Sequence, residues 1–248
     1  MSSERLVLAL QLQGPLQTWG FDSQYNRRNT GLMPTKSAIA GMCCAALGFA
    51  RGSSEEQLFL QQFSSLHMTA IAIPKQGGKM GLVVRRMQDY HTVGGGYDKN
   101  NPMEQYCITA KAEDGKPRGG AVVTYRQYLC DAAFAVLLEG DAGIVRSTAD
   151  GLRDPVWGLW LGRKCCIPTA PVLFGIWDKK EDALQSLIGS TVLDSFTYQE
   201  DVSLFVDGRD SIPDLPISFA SSTREHSPRR VNTHQGSNSV VSSSKQRV

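Results

Sequence analysis

The sequence predicts an α+β protein in which helices cover one face of a sheet, and three observations carry that expectation. Leu6, Leu8, Leu10 and Leu12 alternate with Val7, Ala9 and Gln11, the two-residue period of a strand with one strongly apolar face. Ile39, Cys43, Ala46 and Leu47 then recur at helical spacing between Thr35, an N-cap candidate behind Pro34, and Gly48, a stop signal. His67 to Ile73 returns to β-type composition. Strand, helix, strand over the first seventy residues suits helices packed on a sheet.

The remaining elements follow in order. Gly14 and Pro15 end the first strand, and a polar loop bearing Arg27 and Arg28 precedes the first helix. Ser53 with Glu56 forms a capping box for a second helix, with Phe59, Phe63 and Leu66 on one stripe. Met80 to Met87 is β-type, and Val122 to Leu138 reads as one long β segment. The Gly-, Asn-, Lys- and Asp-rich stretch between them is too long for a structureless loop in a compact domain, so it reads as a projecting arm, such as a long hairpin. Residues 141–153 look helical and end before Pro155, and Asp178 with Glu181 forms a box for another short helix. Weak strand candidates run on to Phe219. The last twenty-nine residues, rich in Ser, Asn, Gln and Arg, are expected to be mostly disordered. There is no internal repeat.

Composition narrows the function classes. The 248 residues are 41% hydrophobic and 20% charged, enough to bury a core and too apolar for a disordered chain. No apolar run approaches a membrane span, and Met1 to Arg5 lacks the sections of a signal peptide, so a cytoplasmic protein with no membrane partner is expected. No pair among the six cysteines has C-x-x-C spacing, so neither a metal nor a disulfide is expected. The formal charge of +2 hides a strong asymmetry: +1 over 1–74, +4 over 75–130, −7 over 131–219 and +4 over 220–248. Two basic segments on a near-neutral average suit a polyanionic ligand.

Several catalytic signatures fail. Thr35-Lys36-Ser37 opens a helix like the end of a phosphate loop, but Thr30 and Thr35 stand where that motif requires glycine. A helix N-terminus beside Lys36, Arg27 and Arg28 still suits a phosphate backbone; the alternative is an ordinary capped helix with solvated basic residues. Gly94-Gly95-Gly96 lacks dinucleotide-binding spacing. His91, beside Tyr90 and Arg85-Arg86, is the one histidine placed to act as a general acid or base on RNA, although such a residue more often hydrogen-bonds or stacks. What remains is basic groups interleaved with aromatics: Trp19, Tyr25, Arg27 and Arg28; Arg85, Arg86, Tyr90 and His91; Tyr125, Arg126 and Tyr128; Arg163 and Lys164. Cations along a backbone and flat side chains under bases fit single-stranded RNA better than duplex DNA.

Five blocks then become recognisable: LQLQGPLQTWG, RRNTGLMPTKSAIAGMCCAALG, RRMQDYHTVGGG, TYRQYLCDAAFAVLLEG and WLGRKCCIPTAPVLFG. In order and spacing, over most of residues 6–175, they resemble the Cas-five family of CRISPR Cascade subunits in its type I-E branch. LPISFASSTRE at 215–225 resembles the family's C-terminal segment. The resemblance implies an RRM-like, ferredoxin-like N-terminal domain (1–140) with a protruding thumb arm (88–121) and a smaller β-rich C-terminal part (141–222), leaving a basic serine-rich tail (223–248). It implies a non-catalytic RNA-binding subunit of an antiviral ribonucleoprotein complex, without cofactor or metal. Such a subunit binds the 5′ handle of the CRISPR RNA, caps the backbone of Cas-seven-type (CasC) subunits and kinks the guide with its thumb. It also touches the large subunit (CasA) and meets target DNA only through the complex. Carried over, Arg27, Arg28, Lys36 and Ser37 sit at the handle, His91 at the thumb base, and Arg126, Tyr128, Arg163 and Lys164 along the handle groove. Trp19, Arg85 and Arg86 complete the expected RNA-binding set. In the type I-C branch the related subunit is itself the processing ribonuclease, with a Tyr, His and Lys set. Tyr90-His91 is similar to part of that set, though no lysine accompanies it, so a metal-independent endoribonuclease is the alternative.

Overall fold

The computed structural model describes residues 4–20, 23–24, 26–74, 85–93 and 122–236. β1 (Arg5–Gln13) is followed by three two-residue strands, β2 (Leu16–Gln17), β3 (Ser23–Gln24) and β4 (Arg27–Arg28). α1 (Lys36–Leu47) and α2 (Ser54–Ser64) lead to β5 (His67–Ala72), β6 (Arg85–Val93), β7 (Val122–Cys130) and β8 (Ala133–Asp141). Then come α3 (Ala142–Arg153), β9 (Leu173–Trp177), α4 (Lys180–Ile188), β10 (Tyr198–Asp201), β11 (Asp210–Ser218) and β12 (Glu225–His234).

Seven strands pair antiparallel in the order β11-β12-β10-β5-β8-β1-β9. On one face Leu6, Leu8, Leu10 and Leu12 meet Ile39 and Cys43 of α1, Phe63 of α2 and Val145 of α3 in the main core. The other face is covered too. Val7, Ala9 and Leu137 pack under Ala183 and Leu184 of α4, which also shields Ile71, Ala135 and Tyr198. Helices therefore lie on both faces rather than one, which explains why Leu6 to Leu10 is a continuous apolar run as well as an alternating one.

The helix signals are partly as the sequence suggests. Gly48 adopts φ 74° and ends α1, with Phe49 N–H donating to the Cys44 carbonyl. Ser53 Oγ accepts from Glu56 N–H at 3.2 Å, while the Glu56 carboxylate accepts from Gly52 N–H at 2.9 Å. Thr35 sits at the start of α1, but its side chain caps nothing; the carboxylate of Asp214, on β11, accepts the Lys36 N–H at 2.7 Å instead. α4 begins at Lys180 without a side-chain cap, so Asp178 does not open it.

Two expectations fail for a clear reason. Val122 to Leu138 is not one strand, because Asp131 turns the chain with φ 55°, a left-handed conformation that Asp tolerates better than most residues. Its N–H donates to the Pro15 carbonyl at 2.9 Å, and the turn sends β7 and β8 into different sheets. The expected disordered tail from residue 223 is likewise corrected over 225–234: β12 lies between β11 and β10, with Arg229 and Val231 buried. Residues 237–248 lie outside the described residues. β9 to β12 thus extend the same sheet as β1, β5 and β8.

What fixes β12 is charge. The Arg229 guanidinium, 6% exposed, donates to both oxygens of Asp214 at 2.7 and 2.8 Å and also to Asp201. Asp201 in turn pairs with the Lys36 ammonium at 2.9 Å and accepts Met68 N–H at 3.0 Å. Two cations and two carboxylates close a neutral buried tetrad joining α1, β10, β11 and β12, the condition under which buried charge is tolerated. Burial opposes ionisation of Asp201, but Lys36 and Arg229 outweigh it and hold its carboxyl below the usual carboxylate range.

Candidate nucleic-acid interface

The second sheet is built around β7. β6 runs antiparallel along one edge, from Arg85 opposite Cys130 to Val93 opposite Val122. The other edge takes β2 at Leu129 and Cys130 and, in parallel, β4 at Tyr125 and Arg126; β3 pairs with β4. The root of this sheet is anchored because Tyr128 and Leu129 belong to the main core. Farther out, the β6–β7 ladder leaves that core and carries exposed residues. Residues 94–121, the body of the expected arm, and Tyr25 lie outside the described residues.

Register divides the site residues between two faces, since directly paired residues share a face and neighbours along a strand do not. Arg27, Tyr125 and Tyr90 lie in one row. The Arg27 guanidinium stands 5.8 Å over the Tyr125 ring, and Tyr90 meets Tyr125 edge-to-face at 5.4 Å. Gln88 and Arg86 continue this face toward the root. The opposite face carries Arg28, Arg126, Asp89, His91 and Arg85. There Arg126 Nε donates to Thr124 Oγ1 at 3.0 Å, and His91 Nδ1 lies 3.6 Å from the Asp89 carboxylate. The structure therefore places Arg27, Arg28, Arg126 and His91 at one level of the sheet, with Arg27 on the face opposite the other three. Arg85 and Arg86 sit some four residues away along the ladder, about 13 Å.

Other expected site residues do different work. Lys36 is corrected most sharply: it is 2% exposed, and its ammonium meets the carbonyls of Ser64 and Leu66 as well as Asp201. Having no free donor aimed at solvent, it cannot meet a phosphate in this arrangement, and burial lowers its pKa. Its helix N-terminus is also capped, by Asp214, and Ser37 beside it is half-buried. Trp19 is core, 1% exposed and edge-on to Phe134, so it offers no ring for a base. Its backbone nevertheless positions the arginine loop, donating to Thr30 Oγ1 at 2.8 Å and accepting from Gly31 N–H at 2.7 Å. Tyr128 is buried, with its hydroxyl 3.6 Å from the Cys165 sulfur, and burial raises its pKa.

Arg163 covers the Tyr128 ring at 4.7 Å and donates to the backbone carbonyls of Gln127 at 2.9 Å and Arg28 at 2.8 Å. Rather than lining a groove with a free fork, it pins β4 to β7 and thereby fixes where Arg27 and Arg28 point. Lys164 next to it is exposed. The turn that presents this pair depends on Gly162, at φ 101°, packed so tightly on Thr18 that a Cβ would fall 2.0 Å from its carbonyl oxygen. Sequence reasoning missed this pin, and nothing local signals it, because its acceptors are main-chain carbonyls on other strands. Asp89, which faces both His91 and Arg126, was missed as well; its spacing two residues before His91 was the available clue.

Chemically, the sheet offers guanidinium groups for phosphates on both faces and an exposed tyrosine for a base on the Arg27 face. Among the described residues no group of three or more His, Cys, Asp and Glu could hold a metal ion. Tyr90 and His91, as strand neighbours, lie on opposite faces and do not converge on one atom.

Known proteins are similar to this chain in sequence and fold. The family model described as "CRISPR-associated protein (Cas_Cas5)" matches residues 7–232. Over 174 residues the chain is 26% identical to the CRISPR system Cascade subunit CasD of Escherichia coli (strain K12), covering 69% of this chain and 71% of that one. A chain of a solved CRISPR RNA-guided surveillance complex superposes with a TM-score of 0.72 and 26% identity, covering 93% of this chain and 90% of that chain. The crystal structure of a Cas protein gives a TM-score of 0.62 at 25% identity, covering 94% and 95%. A family match that runs from within β1 to within β12 leaves one conclusion: the chain belongs to the Cas5 family of CRISPR-associated proteins.

Proposed function

We propose that this chain is a non-catalytic RNA-binding subunit of a type I-E CRISPR RNA-guided surveillance complex. In this reading it holds the 5′ handle of the CRISPR RNA, caps the CasC-type backbone, contacts the large CasA-type subunit and kinks the guide with the arm between β6 and β7. The observation that carries it is the sheet around β7, which gathers Arg27, Arg28 and Arg126 at one level with Tyr90 and Tyr125 beside them. The strand order β9-β1-β8-β5, with helices in the crossovers, supports an RRM-like, ferredoxin-like description of the core. The relatives named for Cascade and for an RNA-guided complex support the assembly. The opposite orientations of Tyr90 and His91 argue against a shared role in cleavage, although His91 with Asp89 is the pairing a ribonuclease would need.

The test is co-expression with the backbone subunits and a CRISPR array, followed by sequencing of co-purified RNA. RNA with an intact 5′ handle is expected only when this chain is present; handles equally protected without it would overturn the proposal. Incubation of the purified chain with labelled repeat RNA in EDTA should give no cut. A specific cut lost in His91→Ala would instead establish the endoribonuclease.

A further inference from the structure

The two faces of the β6–β7 ladder are chemically unlike, and this points beyond general RNA affinity. On one face Arg126 donates to Thr124 and His91 lies beside Asp89, with Arg28 and Arg85 exposed but no exposed aromatic ring among the described residues. On the other, Tyr90 is 60% exposed. Its only ring contact among the described residues is Tyr125, whose ring already lies beside the Arg27 guanidinium. Tyr125 thus sets the orientation of Tyr90 without covering it. An aromatic ring held in place yet open to solvent loses little freedom on binding.

The same face continues along β6 as Arg86, Gln88 and Tyr90, every second residue and so about 6.7 Å apart. Arg86, about 13 Å along β6, is exposed and Arg27 lies across β7 from Tyr90, so one cation stands along the strand from the ring and another across the sheet from it. A docking site for an apolar protein segment would not be framed in this way, whereas a nucleic-acid strand presents phosphates on either side of each base. A paired base has both faces stacked inside the helix and could not reach the ring.

We infer that Tyr90 is a stacking platform for one unpaired RNA base, oriented by Tyr125, with Arg27 and Arg86 taking the flanking phosphates. This rests on the RNA-holding function proposed above and names the part of the ligand that this face reads: an unstacked base in a single-stranded segment. Tyr90 contacts the base, and Tyr125 is a positioning residue.

The experiment uses the full-length chain and a single-stranded RNA oligonucleotide of eight nucleotides carrying one 2-aminopurine, with affinity and fluorescence measured at several salt concentrations. Wild type should bind and quench the probe. Tyr90→Ala should weaken binding about 5- to 100-fold and abolish quenching, while the salt dependence stays as in wild type. Tyr90→Phe keeps the ring and should bind within about twofold of wild type. Arg86→Ala should flatten the salt slope while leaving quenching in place. If wild type binds with a salt slope but Tyr90→Ala is unchanged, the stacking assignment fails and RNA holding stands. Equal losses in Tyr90→Ala and Tyr90→Phe would also overturn it, because the hydroxyl and not the ring would then be the contact. Absence of binding by wild type would overturn both readings.

Discussion

Replacing Arg229 with leucine removes one cation from the buried tetrad and leaves the carboxylates of Asp201 and Asp214 facing a single ammonium, that of Lys36. Asp214 is 1% exposed, so water cannot compensate it. Breaking a buried ion pair from one side costs about 3–5 kcal/mol, against a total stability of about 5–15 kcal/mol for a typical domain. For a chain of this size that corresponds to a fall in Tm of about 6–20 °C. Urea and thermal unfolding of the purified chain, followed by both fluorescence and far-UV circular dichroism, measure it and test whether the transition is two-state. The companion variant Arg229→Leu with Asp214→Asn removes the uncompensated charge but keeps an oxygen for the Lys36 N–H, and should recover a large part of the loss. A fall below about 1 kcal/mol in the single variant, or no recovery in the double variant, would refute the argument that the tetrad holds β12 in the sheet. pH gives an independent check. Because Asp201 titrates below its usual value of 3.8, its contribution is fully present above about pH 4 and is lost as pH falls through the lowered value. Wild-type stability should therefore drop on acidification below about pH 4.

Three further outcomes follow from the interface. Arg27→Ala with Arg28→Ala should flatten the salt dependence of single-stranded RNA binding by about 1.4 in log–log slope, since about 0.7 is lost per phosphate contact; Lys36→Met should leave the slope unchanged while lowering stability. Arg163→Ala should free β4 from β7, seen as faster amide hydrogen exchange at Tyr125, whose N–H donates to the Asn26 carbonyl at 2.8 Å, with protection in β1 and β8 unaltered. Iodoacetamide at pH 8 should label exposed Cys165 readily and leave Cys44 and Cys166 unmodified until the chain unfolds, because burial pushes both thiols up to about 12; early labelling of Cys44 by mass spectrometry would contradict its burial.

The sequence was most legible where one segment contains its own signal. The leucines of β1, the Ser53 cap of α2 and the Gly48 stop of α1 are local patterns with local causes. β12 was illegible because Val231 is its one large apolar residue; its burial depends on Arg229 meeting carboxylates fifteen and twenty-eight residues away. The same holds at the site. Arg27 and Arg28 were legible as surface cations because exposed arginines need no partner to be recognised. Lys36 looked like one of them in a basic stretch, yet its partner Asp201 lies 165 residues downstream. Trp19 and Tyr128 show the same limit: an aromatic beside a basic residue reads alike whether it faces a ligand or a core, and only register against Phe134 and Arg163 separates the two.

The tetrad also imposes an order on synthesis. The Lys36 side chain leaves the ribosome early, but the carboxylates that neutralise it arrive with residues 201 and 214, and the guanidinium that balances those arrives only with residue 229. A chain without Asp214 lacks the cap of α1, and one without β12 leaves the outer edge of β10 without its neighbour, an open strand edge exposed to other nascent chains. Closure needs both β11 and β12 in place, since cap, counter-charge and edge partner all come from them. Proofreading of the finished fold is thereby written into its last strand: a chain stopped before residue 229 has made its arginine loop but cannot neutralise its own core.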